Sequence, residues 1–217
     1  KPAILHQKKL TSNALSRMRL LKEINRQNVD FASMTNIISS DTNLVHKLLT
    51  YINSAGIGLL NHVSNLKQAT VLLGASGVKR WVTLISLQTF SEDKPPELFT
   101  LSLLRAKFCE LIAGELKRPG LTQDAGFLIG MFSLLDVLLM LPMEEVLKEV
   151  ALADDLNAAL LGEDNDLRRI LDLVIAYEKG DWDKVIACCE REHIPVDHLK
   201  PKYDAVLEWY NALQSVS

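Results

Sequence analysis

Residues 127–141 read FLIGMFSLLDVLLML, the most apolar stretch of a 217-residue chain. It spans 15 residues, carries Asp136 and stops at Pro142. A membrane-spanning helix needs about 20 apolar residues, so this stretch is too short to cross a bilayer. A helix apolar on every side must be covered by other elements, and it predicts a fully buried core helix over about 122–141.

The elements around it also read as helices. Nearly every segment has helical period and ends at a breaker. Leu15, Met18, Leu21 and Ile24 line one face of 12–27, and a short helix follows at 31–39. Asp41 caps 42–54, where Leu44, Val45, Leu48, Leu49 and Ile52 form a stripe. Ser64 is the expected N-cap of 65–73, with Gly74 just past its end and a further helix over 77–90. Pro96 fits the first turn of a long helix to about Lys117, closed by Pro119-Gly120. Shorter helices read at 143–150, 154–161, 165–179, 181–193 and 196–215. No alternating run is long enough to require a strand. The expectation is an all-α domain, a multi-helix bundle of about ten to eleven helices with a C-terminal helical appendage. The last helices lack the residue-level self-similarity of a true repeat.

Composition agrees: aromatics are 6%, Gly numbers 10 and Pro 7, which excludes collagenous and turn-rich all-β chains. The net charge of −3 hides a division. Residues 1–90 hold 11 Lys and Arg against 3 Asp and Glu, a net of +8; the remainder hold 13 against 24, a net of −11. Such asymmetry points to interaction surfaces rather than to a fold. No secretory segment opens the chain, and the expected location is cytoplasmic with no membrane insertion. The start at Lys1-Pro2, without an initiator Met, reads as a piece of a longer chain.

Catalytic chemistry is hard to find. Cys109, Cys188 and Cys189 match neither a disulfide framework nor a zinc site and read as buried thiols. His193 and His198 straddle Pro195, and His46 has no metal-binding partner at helical spacing. No nucleophile motif is present. Gly74-Ala75-Ser76-Gly77-Val78-Lys79-Arg80 lacks phosphate-loop spacing and offers at most a weak anion site. Asp136, as a carboxylate in an apolar helix, is expected to meet a Lys, an Arg or a helix N-terminus. No cofactor is expected.

Residues 41–74 read DTNLVHKLLTYINSAGIGLLNHVSNLKQATVLLG. Asp41, Leu44, Leu48-Leu49, Asn53-Ser54-Ala55, Gly58-Leu59, Ser64, Gln68-Ala69 and Leu73-Gly74 follow one another in an order that resembles the HDOD domain, the HD-related output domain of bacterial signalling proteins. Lys1-Pro2-x-Ile4, Lys8-Lys9-Leu10 and Asn13 look like the junction from an EAL-type cyclic-di-GMP phosphodiesterase domain. Arg80-Trp81, Arg105–Glu110, Phe132–Asp136, Pro142–Leu147 and Ala176–Trp182 resemble the same two-domain subfamily.

The resemblance implies a linker over 1–11 from an upstream EAL domain, an HDOD domain over 12–194, and a C-terminal helix over 195–217 packed on it. It also implies lost chemistry. HD-type phosphohydrolases carry a His-Asp doublet after a glycine on the apolar helix. Aligned from Gly130, those places hold Ser133 and Leu134, and the upstream ligand position falls near Ala106 or Lys107. The expected function is therefore a non-catalytic signalling and protein-interaction module, not an enzyme. Its partners would be the EAL domain and a further signalling protein. Asn53, Ser54, Gly58, Gln68, Lys79, Arg80 and Trp81 are the candidate interaction and loop residues. For Asn53 and Gln68 the competing reading is internal hydrogen bonding of the loop, and Trp81 stands between core residue and contact residue. The alternative is a nucleotide- or nucleic-acid-binding module using the basic half. A more remote alternative is a metal-dependent phosphohydrolase.

Overall fold

Several helices of this chain begin where a short polar side chain satisfies a free backbone N–H. Asp30 accepts from Ser33 N, Asp41 from Asn43 and Leu44 N, Thr122 from Ala125 N, and Asn165 from Arg168 N. The computed structural model describes residues 12–26, 29–53 and 61–214, and every regular element within them is helical. The helices are α1 Ser12–Asn25, α2 Phe31–Ser39, α3 Thr42–Ile52, α4 Leu66–Ser91, α5 Pro96–Leu116 and α6 Gln123–Phe132. They continue with α7 Leu135–Leu139, α8 Met143–Val150, α9 Asp154–Leu160, α10 Asp166–Lys179, α11 Trp182–Glu192 and α12 Leu199–Gln214. The all-α class is as expected, and Pro96 opens α5.

Three local expectations are corrected. The cap of α4 is Asn65 rather than Ser64, because Asn65 holds the extended backbone and accepts from Gln68 N. Gly74 interrupts α4 at φ 66° and ψ 178° without ending it, so Leu66–Ser91 runs on across a kink. No atom lies near a Cβ built there, so the positive φ is what calls for glycine.

The apolar stretch is two helices, not one. Ser133 Oγ donates to Gly130 O at 2.7 Å, which satisfies a carbonyl at the end of α6. Leu134 then leaves helical geometry at φ −119° and ψ 16°. Asp136 consequently sits half-buried in the first turn of a five-residue helix, and none of the ion pairs among the described residues involves it. The continuous buried helix is not found, and of the expected partners it is a helix N-terminus, that of α7, that Asp136 meets.

The core centres on α5 and α6, which meet backbone to backbone. A Cβ at Gly130 would lie 2.5 Å from Ala106 N and from the Arg105 carbonyl, and one at Gly126 would lie 2.7 Å from Ala113 Cβ. Trp81, Phe108 and Phe132 are the largest fully buried side chains around this contact. On one side α1 packs on α4 and α8; on the other α10 packs on α5 and α6, and α12 lies along α5.

The C-terminal helix is lightly held. Only Leu199 and Val206 of α12 are buried, and polar contacts supplement them. Tyr210 and Thr100 hydroxyls lie 2.9 Å apart, and Tyr203 packs against Phe108 and Tyr177. Among the described residues no helix is long and apolar enough to cross a membrane.

Candidate functional site

The place where the family resemblance puts a metal centre lies at the α5–α6–α10 junction. There α5 presents Arg105, the α6 terminus presents Ser133, and α10 presents Glu178. Arg105 Nη1 donates to Ser133 Oγ at 3.2 Å, and Arg105 Nε lies 3.1 and 2.9 Å from the two Glu178 oxygens. Burial pushes the Glu178 carboxyl up, against the opposing influence of the Arg105 charge. Ala106 is fully buried, and Lys107 is committed to Glu110 at 3.0 Å. This set does not fit a divalent metal: beside a fixed cation, a hydroxyl and an apolar chain it offers a single carboxylate, Glu178, already bonded to Arg105, where several anionic or imidazole donors are needed. Among the described residues no three His, Cys, Asp or Glu side chains form a group able to hold a metal ion.

The histidines are dispersed. His193 closes α11 with φ 58°, and His198 Nδ1 lies 2.6 Å from Glu115 Oε1 on α5. His46 stands on the exposed face of α3. All three cysteines are free and buried; burial raises Cys189 to about 11 and pushes Cys109 and Cys188 up as well.

The candidate corner on α4 is divided by the fold. Arg80 turns inward: Nη2 lies 2.6 Å from Glu110, Nε lies 3.3 Å from Asp124, and the guanidinium sits 4.2 Å above the Phe127 ring. Trp81 is 1% exposed and belongs to the core. Lys79 stays at the surface, half-exposed. Gln68 is exposed, and its described hydrogen bond is made by its backbone N–H to Asn65.

Asn53 has an internal role. Its Nδ2 donates to Leu49 O and Val63 O, both at 2.8 Å, and its Oδ1 accepts from Val63 N at 2.7 Å. It thereby ties the end of α3 to the chain that leads into α4. Ser54 and Gly58 lie outside the described residues. Beside Gln68 the first half of α4 exposes Val71 and Leu72, at 61% and 53%, which sequence reading did not single out. The division of charge is softened in three dimensions, since Lys22 pairs with Glu149 and Arg80 with Glu110 and Asp124. Glu110 was open to notice: a carboxylate within Phe108–Ile112 is as anomalous as Asp136.

The HDOD domain family matches residues 11–160. The chain belongs to the HDOD family. It is 34% identical to the uncharacterized protein YuxH of Bacillus subtilis (strain 168), over 98% of this chain and 52% of that protein. It is 35% identical to the cyclic di-GMP phosphodiesterase CdgJ of Vibrio cholerae, over 87% of this chain and 44% of that protein. The chain thus spans about half the length of the curated relatives it matches. A crystal structure from Marinobacter aquaeolei VT8, of a protein assigned to signal transduction, superposes with a TM-score of 0.66 at 13% identity. It covers 97% of this chain and 59% of that one, and the likeness is one of fold. The HDOD match ends at the close of α9; α10 and α12 pack onto the matched helices and α11 onto α10, with α10 supplying Glu178 to the junction.

Proposed function

We propose that this HDOD chain is a non-catalytic output module in cyclic-di-GMP signalling, acting through contacts with an EAL-type domain and a further signalling protein. The observation that carries the reading is the Arg105–Glu178–Ser133 cluster. A guanidinium at the junction repels a divalent cation, and the one carboxylate within reach is already committed to it. Without a metal-activated water, the helical scaffold has no described group positioned to hydrolyse a phosphodiester. The match to CdgJ supports the cyclic-di-GMP setting, because that protein is named for cyclic di-GMP phosphodiesterase activity.

The contact surface is assigned to the first half of α4, where Gln68, Val71 and Leu72 are exposed and Lys67 lies one helical turn before Val71. Apolar side chains that reach water beside a cation suit a protein partner better than a phosphate backbone.

Two measurements test this. Hydrolysis of bis(p-nitrophenyl) phosphate and of cyclic di-GMP is assayed with added Mn²⁺ or Fe²⁺. No turnover is expected, and metal-dependent turnover that disappears in Glu178→Gln overturns the non-catalytic reading. Calorimetry with a purified EAL-type domain tests the surface. Binding weakened at least about tenfold by Leu72→Glu is expected, and unchanged binding refutes the assignment.

A further inference from the structure

A second feature lies away from both the junction and the exposed start of α4. The helices α3 and α12 flank a groove of about 510 Å³, floored by α4 and α5. That volume is within the roughly 300–1,000 Å³ range of small-molecule sites. Leu84 and Ile85 from α4 and Phe99 and Leu103 from α5 make the floor apolar. Trp81 lines it too, and this buried indole N–H has no hydrogen-bond acceptor among the described residues. Buried Trp N–H groups are usually paired, and this one, closed off from solvent, is an unsatisfied donor on a side chain that lines the groove.

The charge of the lining is one-sided. Among the described residues no Asp or Glu lines the groove. Lys47 is the one formally charged residue among the described lining, with His46 beside it on α3. No ion pair among the described residues involves Lys47. The amides of Asn43, Gln88 and Gln214 and the hydroxyls of Thr50, Tyr51 and Tyr210 add further polar lining. An apolar floor and, on one wall, a cation with no ion pair among the described residues are complementary to a molecule with an aromatic body and an acidic head.

We infer that the groove between α3 and α12 binds a small aromatic anion, with its body over Leu84, Ile85 and Phe99 and its carboxylate, sulfonate or phosphate against Lys47. The site is independent of the non-catalytic reading, because it shares no residue with the Arg105 junction. Occupancy would couple α12, which is otherwise lightly held, to α3 across the groove.

The test uses 1-anilinonaphthalene-8-sulfonate as the probe, titrated into the full chain and followed by fluorescence. One saturable site is expected. Lys47→Glu weakens it at least about tenfold, while Lys148→Glu on α8 leaves it unchanged and so controls for net charge. In ¹H–¹⁵N spectra the Trp81 indole resonance, assigned by its absence in Trp81→Phe, is expected to shift on titration. Circular dichroism establishes that each variant is folded. Absence of binding, or weak binding at several sites that ignores Lys47→Glu, overturns the inference. So does a Trp81 indole resonance that stays in place while the probe binds.

Discussion

Arg105 and Glu178 clasp one another across the α5–α10 interface, with Arg105 Nε and Nη2 each 2.9 Å from Glu178 Oε2. Their side chains are 10% and 15% exposed. Removing one member leaves the other as an uncompensated, largely buried charge, at a cost of about 3–5 kcal/mol, whereas replacing both with apolar chains is far closer to neutral. Arg105→Met is therefore expected to lose about that much stability in urea denaturation, and Arg105→Met/Glu178→Met to recover most of it. Equal losses in the single and double variants would show that packing, not the pair, holds the junction.

The α5–α6 contact makes a sharper demand on Gly130. A Cβ there meets backbone atoms of Arg105 and Ala106 at 2.5 Å, and backbone cannot move aside as a flexible side chain can. Gly130→Ala is expected to cost about 1–3 kcal/mol or more through overpacking, despite the better helix propensity of alanine. Thermal unfolding measures it, and a variant as stable as the parent would mean that α6 can shift away from α5.

The same two helices show which features were legible in the sequence. Asp41 and Pro96 announced their helix starts because capping and first-turn chemistry are local. The break at Ser133-Leu134 carried no glycine or proline signal. It depends on a serine hydroxyl turned back onto Gly130 and on the Arg105 guanidinium that meets it. Arg105 and Ser133 could be named from resemblance, but Glu178 lies 73 residues from Arg105, and only tertiary packing brings it to the junction. Arg80 illustrates the same limit. As a sequence neighbour of Lys79 it looked like surface, and Glu110 and Asp124 draw it inward. The groove was hidden for the same reason, since its four walls come from distant parts of the chain.

Asn53 ties the end of α3 to Val63 within the stretch 41–74 that carries the HDOD signature. Asn53→Ala removes two donated bonds and one accepted bond, leaving backbone groups of Leu49 and Val63 short of partners. A loss of about 1–3 kcal/mol is expected. Asn53→Asp retains the acceptor for Val63 N but loses both donors, so it should also be destabilised. Hydrogen exchange at the Val63 amide is the direct readout, and unchanged protection in Asn53→Ala would remove the claim.

The three thiols are predicted to be silent in the native state. Thiolate is the reactive form, and burial raises all three cysteines, Cys189 to about 11. A disulfide-exchange reagent at pH 8 is expected to titrate essentially no thiol in the folded chain and all three after denaturation. Rapid native labelling of Cys188 or Cys189 would mean that α11 opens readily.

The attachment of α12 should depend on acid. Burial pushes the Glu115 carboxyl up, but hydrogen bonds from Lys202 and His198 outweigh it and hold the group below its ordinary value of 4.5. A carboxyl depressed in the folded state contributes stability above its unfolded value, and that contribution fades as pH falls through the folded one. The anchor is therefore complete near neutrality and is lost below about pH 4.5. Glu115 remains within reach of solvent, so the contribution is no more than about 1 kcal/mol. Hydrogen exchange of α12 amides, compared at pH 7 and below pH 4 after correction for intrinsic rates, should show selective loosening relative to α5. In Glu115→Gln the helix should be loosened already at pH 7 and respond little to further acid. An α12 whose protection follows that of α5 at every pH would show that Leu199, Val206 and the Tyr203 contacts hold it without help from Glu115.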